Sequence, residues 1–295
     1  MPIEPTSSHK PQEASAGRRF AGRAVVALLL AAAVGVSGWL MMGSSSAFTG
    51  RDLAALNIAV PAVTAGWRAH RRGTAVGPAI LQALAGGLCM QKAMETAAKV
   101  RDDDPWRAWR AKFLMNVGAS LAESAPEGRF LYRMDFGPVW LEAGPGGFRF
   151  KPGLHGSLAP LLNLADGARI DPGRSLRLGT LAYERNRNRD GTIGRNGALA
   201  YSNANNLVTN RNGDHAGHEL IHTFQYRRDV SIWPSLGQLF PAIRCRTDRW
   251  VDDTGWSVAW GSQCAASRIA GQDRDFDILM EREAYELTDT YRNFR

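Results

Sequence analysis

Two histidines and a glutamate in this chain have a spacing that suits metal binding and proton transfer. They lie in the stretch His218-Glu219-Leu220-Ile221-His222. On a helix, residues four apart project from one face a turn apart, so both imidazoles can bind a single Zn²⁺. Zinc held in this way lowers the pKa of its bound water toward about 7, and Glu219 stands where it can take the proton. The motif therefore predicts metal-assisted hydrolysis.

A catalytic zinc site of this kind needs a third protein ligand. The metzincin pattern requires Gly and His at the positions of Gln225 and Arg228, so that class is excluded. An aspartate ligand of the aspzincin type lacks matching surroundings here. The acidic candidates further along the chain are Asp248, Asp252, Asp253, Glu281, Glu283 and Glu286.

Helical geometry divides the three C-terminal glutamates between two faces. Glu281 shares a face with Ala284 and Tyr285, and the small Ala284 permits close approach of another helix. Glu283 and Glu286 share a different face. On spacing alone, all three remain possible ligands.

The two motifs together resemble those of a known family. His218-Glu219-Leu220-Ile221-His222-x-x-Gln225, followed by Glu281-x-x-Ala284, is similar to the gluzincin metallopeptidases, especially small bacterial domains of the minigluzincin type. In these families a second helix carries Glu-x-x-Ala-Asp, whose Glu is the third zinc ligand. The resemblance implies Zn²⁺ as cofactor on His218, His222 and Glu281, with Glu219 as the general base that hydrolyses peptide bonds.

One position departs from the family pattern. The family's Asp after Ala, which supports a zinc-ligand histidine, is Tyr285 here. Two roles are open to its hydroxyl: support of that histidine, or hydrogen bonding to an oxyanion. Glu283 stays an alternative to Glu281 as third ligand.

The alternative function is a zincin-fold module without activity that binds proteins or organises the cell envelope.

The elements that must position these residues predict an α+β fold. Short alternating segments punctuated by Gly and Pro predict strands at 129–136, 139–143, 147–150, 198–201 and 207–209. After Asp214, the expected N-cap, the pattern becomes helical, and a second helix is expected over 281–291. The order of these elements predicts an α+β domain over 127–295, and the resemblance implies that it is a zincin-like catalytic domain. Strand 198–201 is the candidate edge for binding extended peptide, with ordinary sheet membership as the alternative.

The N-terminal part predicts export. Residues 1–23 are polar and basic and are expected to form a disordered cytoplasmic tail. Residues 24–43 carry no charge and are long enough for a transmembrane anchor, with a cleaved signal sequence as the alternative. The positive-inside rule then orients a single-pass protein of the bacterial inner membrane, with the domain on the extracytoplasmic side.

Residues 44–126 form an Ala-rich region that predicts helices. Its two apolar stretches, 53–65 and 75–90, are short and interrupted by proline, which favours ordinary helices over a membrane hairpin. Trp106, Trp109 and Phe113 fall on one helical face and are expected in the core.

Composition limits the remaining classes. The chain has 295 residues, 44% of them hydrophobic, with a formal charge of +8 and only three cysteines. These values suit a globular protein without a disulfide scaffold. A Cys245–Cys264 disulfide is possible in an exported domain, with Cys89 alone and buried.

The excess of basic residues does not indicate a nucleic-acid partner, because no nucleic-acid-binding pattern accompanies it. The expected partners are a peptide or protein substrate and the membrane; the oligomeric state is open. The basic side chains are expected to steer acidic substrates or to meet anionic lipid: Arg227, Arg228, Arg244, Arg246 and Arg249.

Overall fold

A computed structural model describes residues 50–101, 104–186, 200–203, 206–209, 215–232 and 279–288. All of them belong to one compact unit, residues 43–295. The predictions for residues 1–43, for the aspartates at 248, 252 and 253, and for Cys245 and Cys264 lie outside the described residues. Within the described ranges, no helix combines the length and apolar character needed to cross a membrane.

Three long helices come first. They are α1 (Gly50–Arg72), α2 (Val76–Ala97) and α3 (Pro105–Ser124), followed by a 3₁₀ turn at Ala125–Glu127. The start of α3 follows from its sequence: the Asp104 side chain accepts a hydrogen bond from the backbone N–H of Arg107 at 3.0 Å. Pro105, which needs no hydrogen-bond acceptor, occupies the first helical position.

Glycines let these helices pack backbone to backbone. A Cβ atom added to Gly86 of α2 would lie 2.6 Å from the carbonyl oxygen of Gly118 of α3. A Cβ atom added to Gly118 would lie equally close, at 2.6 Å, to the carbonyl oxygen of Gly86. A Cβ atom on Gly87 lies 2.7 Å from Cα of Ile58 in α1. Such distances exclude any side chain at these positions unless the helices move apart.

The apolar part of the buried face of α3 consists of small residues and one methionine, not of aromatic residues. The buried apolar side chains of this helix are Ala108, Ala111, Met115, Ala119 and Ala122. The expected core position is wrong for Trp106, which is 85% exposed, and for Phe113, which is 58% exposed, whereas Trp109 is half-buried and donates through Nε1 to the carbonyl oxygen of Leu176 at 2.7 Å. The reason is the close approach of α2, which leaves no room between the helices for an indole or phenyl ring.

Two small sheets follow. An antiparallel meander contains β1 (Tyr132–Phe136), β2 (Val139–Gly144) and β3 (Gly147–Pro152). The second sheet contains β4 (Arg169–Ile170), β5 (Leu181–Glu184), β6 (Tyr201–Asn203) and β7 (Asn206–Thr209) in the order β4-β5-β7-β6. In it β5 and β7 are parallel, whereas the other two pairs are antiparallel.

Four further helices complete the described fold. Two short ones, α4 (Leu154–Ala165) and α5 (Pro172–Leu178), flank β4 and were not anticipated from the sequence. Helices α6 (Ala216–Ile232) and α7 (Leu279–Leu287) occupy the two regions that were predicted to be helical. The α+β class is confirmed.

One core joins the N-terminal helices to the later elements. Side chains from α2, α3, α6 and α7 and from β5 and β7 form a single buried apolar cluster, including Met94, Met115, Leu207, Leu220 and Ala284. Cys89 of α2 is only partly buried, and this burial raises the pKa of its thiol. Helices α2 and α3, which precede the sheets, are thus part of the hydrophobic support of α6.

Buried ion pairs fix α6 on the side that faces α3 and the meander. Arg227 is buried and pairs with Glu123, which it contacts through both terminal nitrogens, and its guanidinium carbon lies 4.7 Å from the Trp140 ring centroid. Arg227 therefore does not steer substrates or meet lipid, contrary to the expectation from the sequence. It holds α6 in place.

Candidate metal centre

Helix α6 brings the two predicted histidine ligands together. His218 and His222 are 8% and 9% exposed, and their Nε2 atoms lie 3.1 Å apart. Their rings meet edge to face, with centroids 4.7 Å apart at 83°. The helical repeat alone puts the residues on one face; the side-chain rotamers then turn the same nitrogen of each ring toward a common point.

The convergence of these nitrogens fits a zinc ion. Two ligands at about 2.0–2.1 Å from zinc in tetrahedral geometry are separated by about 3.3 Å. The 3.1 Å between the two Nε2 atoms corresponds to an angle of about 98° between the two bonds to zinc. Paired imidazole nitrogens are also donors that zinc prefers. The same distance suits a hydrogen bond between the rings when one Nε2 is protonated. The donor atoms of His218 and His222 thus fit the metal that the motif implies.

Glu219 lies between the two histidines in sequence and is 4% exposed. Its backbone N–H donates to the carbonyl oxygen of His215 at 3.0 Å, which begins the hydrogen bonding of α6. His215 itself is exposed and has a left-handed backbone, with φ at 71°. Of the three histidines near this helix start, the structure therefore buries only the two in the motif.

The second nitrogen of His222 has its own partner. Nδ1 lies 2.7 Å from the Oε1 atom of Gln225, one turn along α6. The amide nitrogen of Gln225 donates to Oε2 of Glu283 in α7 at 2.9 Å. Gln225 is buried completely. A buried amide thus connects the imidazole of His222 to a carboxylate on another helix.

Glu283 lies in a buried polar cluster, and this bears on its candidacy as a ligand. Arg228 donates to its two oxygens at 3.0 and 2.9 Å, and the side-chain amide of Asn57 donates to Oε1. Arg228 is therefore buried and paired, so the expected role in substrate steering or lipid contact is wrong for this residue too. Both oxygens of Glu283 are occupied by donors other than the histidine pair.

No other described residue completes the site. Among the side chains described in the structure, no three His, Cys, Asp or Glu residues are grouped to hold a metal ion. Glu283 is instead engaged by Arg228, Asn57 and Gln225. The Glu281 side chain lies outside the described part of the chain, although its backbone belongs to α7.

Helix α7 nevertheless meets α6 through the expected face. The Tyr285 ring lies against the His218 ring, with centroids 4.6 Å apart at 46°. Ala284 is fully buried in the cluster that contains Leu220, Ile221 and Phe224 of α6. Tyr285 thus touches the first histidine of the motif, and Glu281 precedes it by one helical turn.

The sheet beside α6 ends in a short strand. β7 is buried throughout, whereas β6 pairs with β7 alone among the described strands and forms that edge of the described sheet. Both strands pack against α6. Of the predicted edge segment 198–201, the described residues are Ala200 and Tyr201, and β6 begins at Tyr201. An edge strand next to the histidine helix is therefore present.

The histidine pair is visible in the sequence, but the buried hydrogen-bonded residues that support it are not. In the sequence, Gln225 is only a position of the motif, and Arg228 is only one of several basic residues. Asn57 carried no local signal, because it lies 171 residues before Arg228, whose Nη1 donates to its Oδ1 at 2.7 Å. Comparison of the chain with protein-family models, curated proteins and solved structures finds no match.

Proposed function

We propose that this chain is a zinc-dependent metallopeptidase that hydrolyses peptide bonds. The observation that carries the proposal is the 3.1 Å approach of the His218 and His222 Nε2 atoms, with the buried Glu219 between them in sequence. The two converging imidazoles supply two of the three protein ligands that a catalytic zinc site needs, and the neighbouring carboxylate supplies the base.

Glu281 is the third ligand in this proposal. Glu283 is held by Arg228 and Gln225, and helical spacing puts Glu281 on the face of Ala284 and Tyr285, which meets α6. The contact between Tyr285 and His218 supports this choice, because the gluzincin pattern has a histidine-supporting residue at that position. In this chain an aromatic ring packs on the histidine instead of a carboxylate.

The roles of the chain's own residues follow from their chemistry. Zinc, when bound, supplies a Lewis acid that polarises the peptide carbonyl and acidifies water. His218, His222 and Glu281 hold it, and the Glu219 carboxylate accepts the proton of the attacking water and delivers it to the leaving amine. β6 aligns the extended substrate by backbone hydrogen bonding next to α6.

The proposed location is the extracytoplasmic face of the inner membrane. Residues 24–43 anchor the chain, and the basic tail of residues 1–23 stays in the cytoplasm. Support comes from the uncharged stretch and its basic N-terminal flank, both properties of the sequence.

The function is tested by removing and restoring the metal. The full chain in detergent micelles is incubated with a mixed library of fluorescence-quenched peptides, before and after dialysis against a chelator. We expect cleavage to fall by about tenfold or more without zinc, because the carbonyl loses its Lewis acid. Cleavage should return when one equivalent of zinc is added.

Two results would contradict the proposal. Cleavage that survives complete removal of zinc would show that the metal is not needed. Protein that carries zinc but cleaves no member of the library would favour the non-catalytic module. Magnesium added in place of zinc is the control, since it prefers oxygen ligands and should not restore cleavage through an imidazole pair.

A further inference from the structure

Gln225 lies between a histidine and a carboxylate in a way that fixes its orientation. One end of its amide is 2.7 Å from His222 Nδ1, and the other is 2.9 Å from Glu283 Oε2. An amide has one end that only accepts and one that only donates. Which end faces which neighbour therefore decides what His222 must do.

The neighbours of Glu283 settle the direction of these hydrogen bonds. Arg228, which can only donate, contacts both carboxylate oxygens, and Asn57 donates to Oε1. Glu283 is therefore the acceptor in this cluster, and the Gln225 NH₂ group must face it. The Gln225 oxygen then faces His222, and an oxygen acceptor requires a hydrogen on Nδ1.

A neutral imidazole carries one hydrogen, so this hydrogen leaves Nε2 of His222 as the lone pair. Nε2 is the atom that points toward His218 at 3.1 Å. We propose that Gln225, oriented by the Glu283–Arg228 ion pair, is a positioning residue that holds His222 in the tautomer that can bind metal through Nε2. This inference rests on the proposed zinc site and names the group that prepares its second ligand.

Helix α1 belongs to the same support. Asn57 accepts from Arg228 Nη1 at 2.7 Å, and its own amide nitrogen also lies 3.3 Å from Gln91 Oε1 in α2. The side-chain amide of Asn57 thus spans the ion pair that orients Gln225. The helical region before the sheets therefore contributes to the ligand geometry through Asn57, in addition to its apolar packing.

The tautomer can be read directly in zinc-free protein. Full-length chain labelled with ¹⁵N-histidine is stripped of metal, and long-range ¹H–¹⁵N spectra are recorded at alkaline pH, where neutral imidazoles dominate. The six histidines of the chain are assigned by single substitution. In wild type we expect His222 to carry its hydrogen on Nδ1.

Gln225→Met removes the acceptor at nearly constant volume. We expect His222 to shift toward the Nε2–H form and the zinc affinity to fall about 10- to 100-fold, the usual effect of losing a ligand's hydrogen-bond partner. Gln82→Met is the matched control, because it deletes another side-chain amide of α2, one that donates to Leu121 and Ser124 of α3 rather than to the Glu283 cluster. It should leave the His222 tautomer unchanged and the zinc affinity within about twofold.

A reciprocal exchange separates orientation from packing. In Gln225→Glu/Glu283→Gln, a carboxylate accepts from His222 while the new amide donates to it and accepts from Arg228. This pair should keep the Nδ1–H tautomer, whereas Gln225→Met should not. The exchange also keeps the experiment informative if Gln225→Met folds poorly, since thermal melting identifies such a loss.

The outcomes distinguish this inference from the proposed function. A wild-type His222 with its hydrogen on Nε2, or a Gln225→Met variant with unchanged tautomer and zinc affinity, would overturn the role of Gln225. Neither result depends on peptide cleavage, because the tautomer is measured without metal. Conversely, a chain with the expected tautomer that binds no zinc would refute the proposed function and leave the orientation of Gln225 established.

Discussion

Glu219→Gln is expected to lower kcat for peptide cleavage by about 10²- to 10⁴-fold while zinc stays bound. The amide keeps the shape of the carboxylate but cannot accept the proton of the attacking water. Because Glu219 is not one of the proposed ligands, the metal content should match that of wild type. The measurement is kcat on one peptide identified from the library, together with metal analysis of the same sample.

Glu142→Gln is the matched control for this substitution. Glu142 in β2 is also 4% exposed, and its carboxylate pairs with Arg133 of β1 at 2.8 Å instead of lying on the histidine helix. Its replacement should leave kcat within about threefold of wild type, because it touches no reacting group. Cleavage by Glu219→Gln at the wild-type rate would contradict the assignment of Glu219 as general base.

Arg228→Met should lower the free energy of unfolding of the chain strongly. Arg228 and Glu283 have side chains that are each 7% exposed, and the pair is held at 2.9 Å. Removing the cation leaves a buried carboxylate without its counter-charge, which costs about 3–5 kcal/mol of the free energy of unfolding. Chemical denaturation of the zinc-free chain measures this change without a contribution from metal binding.

Two comparisons define what the loss means. Replacing both partners, in Arg228→Met/Glu283→Leu, should recover much of the stability, because the desolvation cost disappears with the charges. Lys92→Met breaks the exposed Lys92–Glu95 pair and should cost less than about 1 kcal/mol. If Arg228→Met lowered the free energy of unfolding no more than Lys92→Met does, the buried ion pair would contribute no more to stability than an exposed one.

Patterns of short range predicted much of the fold. The Gly and Pro punctuation located β1, β2 and β3 within a few residues. In these places the deciding interactions lie within one turn or one hairpin. The short helices α4 and α5 were not predicted; each contains a proline, Pro160 inside α4 and Pro172 at the start of α5.

Interhelical packing could not be predicted in the same way. Trp106 and Phe113 were assigned to the core on size and spacing, yet the face of α3 that meets α2 is formed by alanines around Gly118. Hydrophobicity alone does not distinguish a helix that packs through small residues from one that packs through large ones. The distance between the helix axes makes that choice.

The candidate site shows the same division. His218 and His222 were identified because a helical repeat brings them together, and the structure joins their Nε2 atoms at 3.1 Å. Arg228 was assigned to a basic surface because its acidic partner, Glu283, is 55 residues away. Charge pairing across such a separation is visible only after folding.

Metal analysis of natively purified chain tests the central claim most directly. The account predicts about one zinc per wild-type chain, loss of that zinc in His222→Ala, and its retention in His215→Ala, because His215 is exposed and lies outside the converging pair. A wild-type chain that contains no zinc, or a His222→Ala chain that keeps it, would contradict the account.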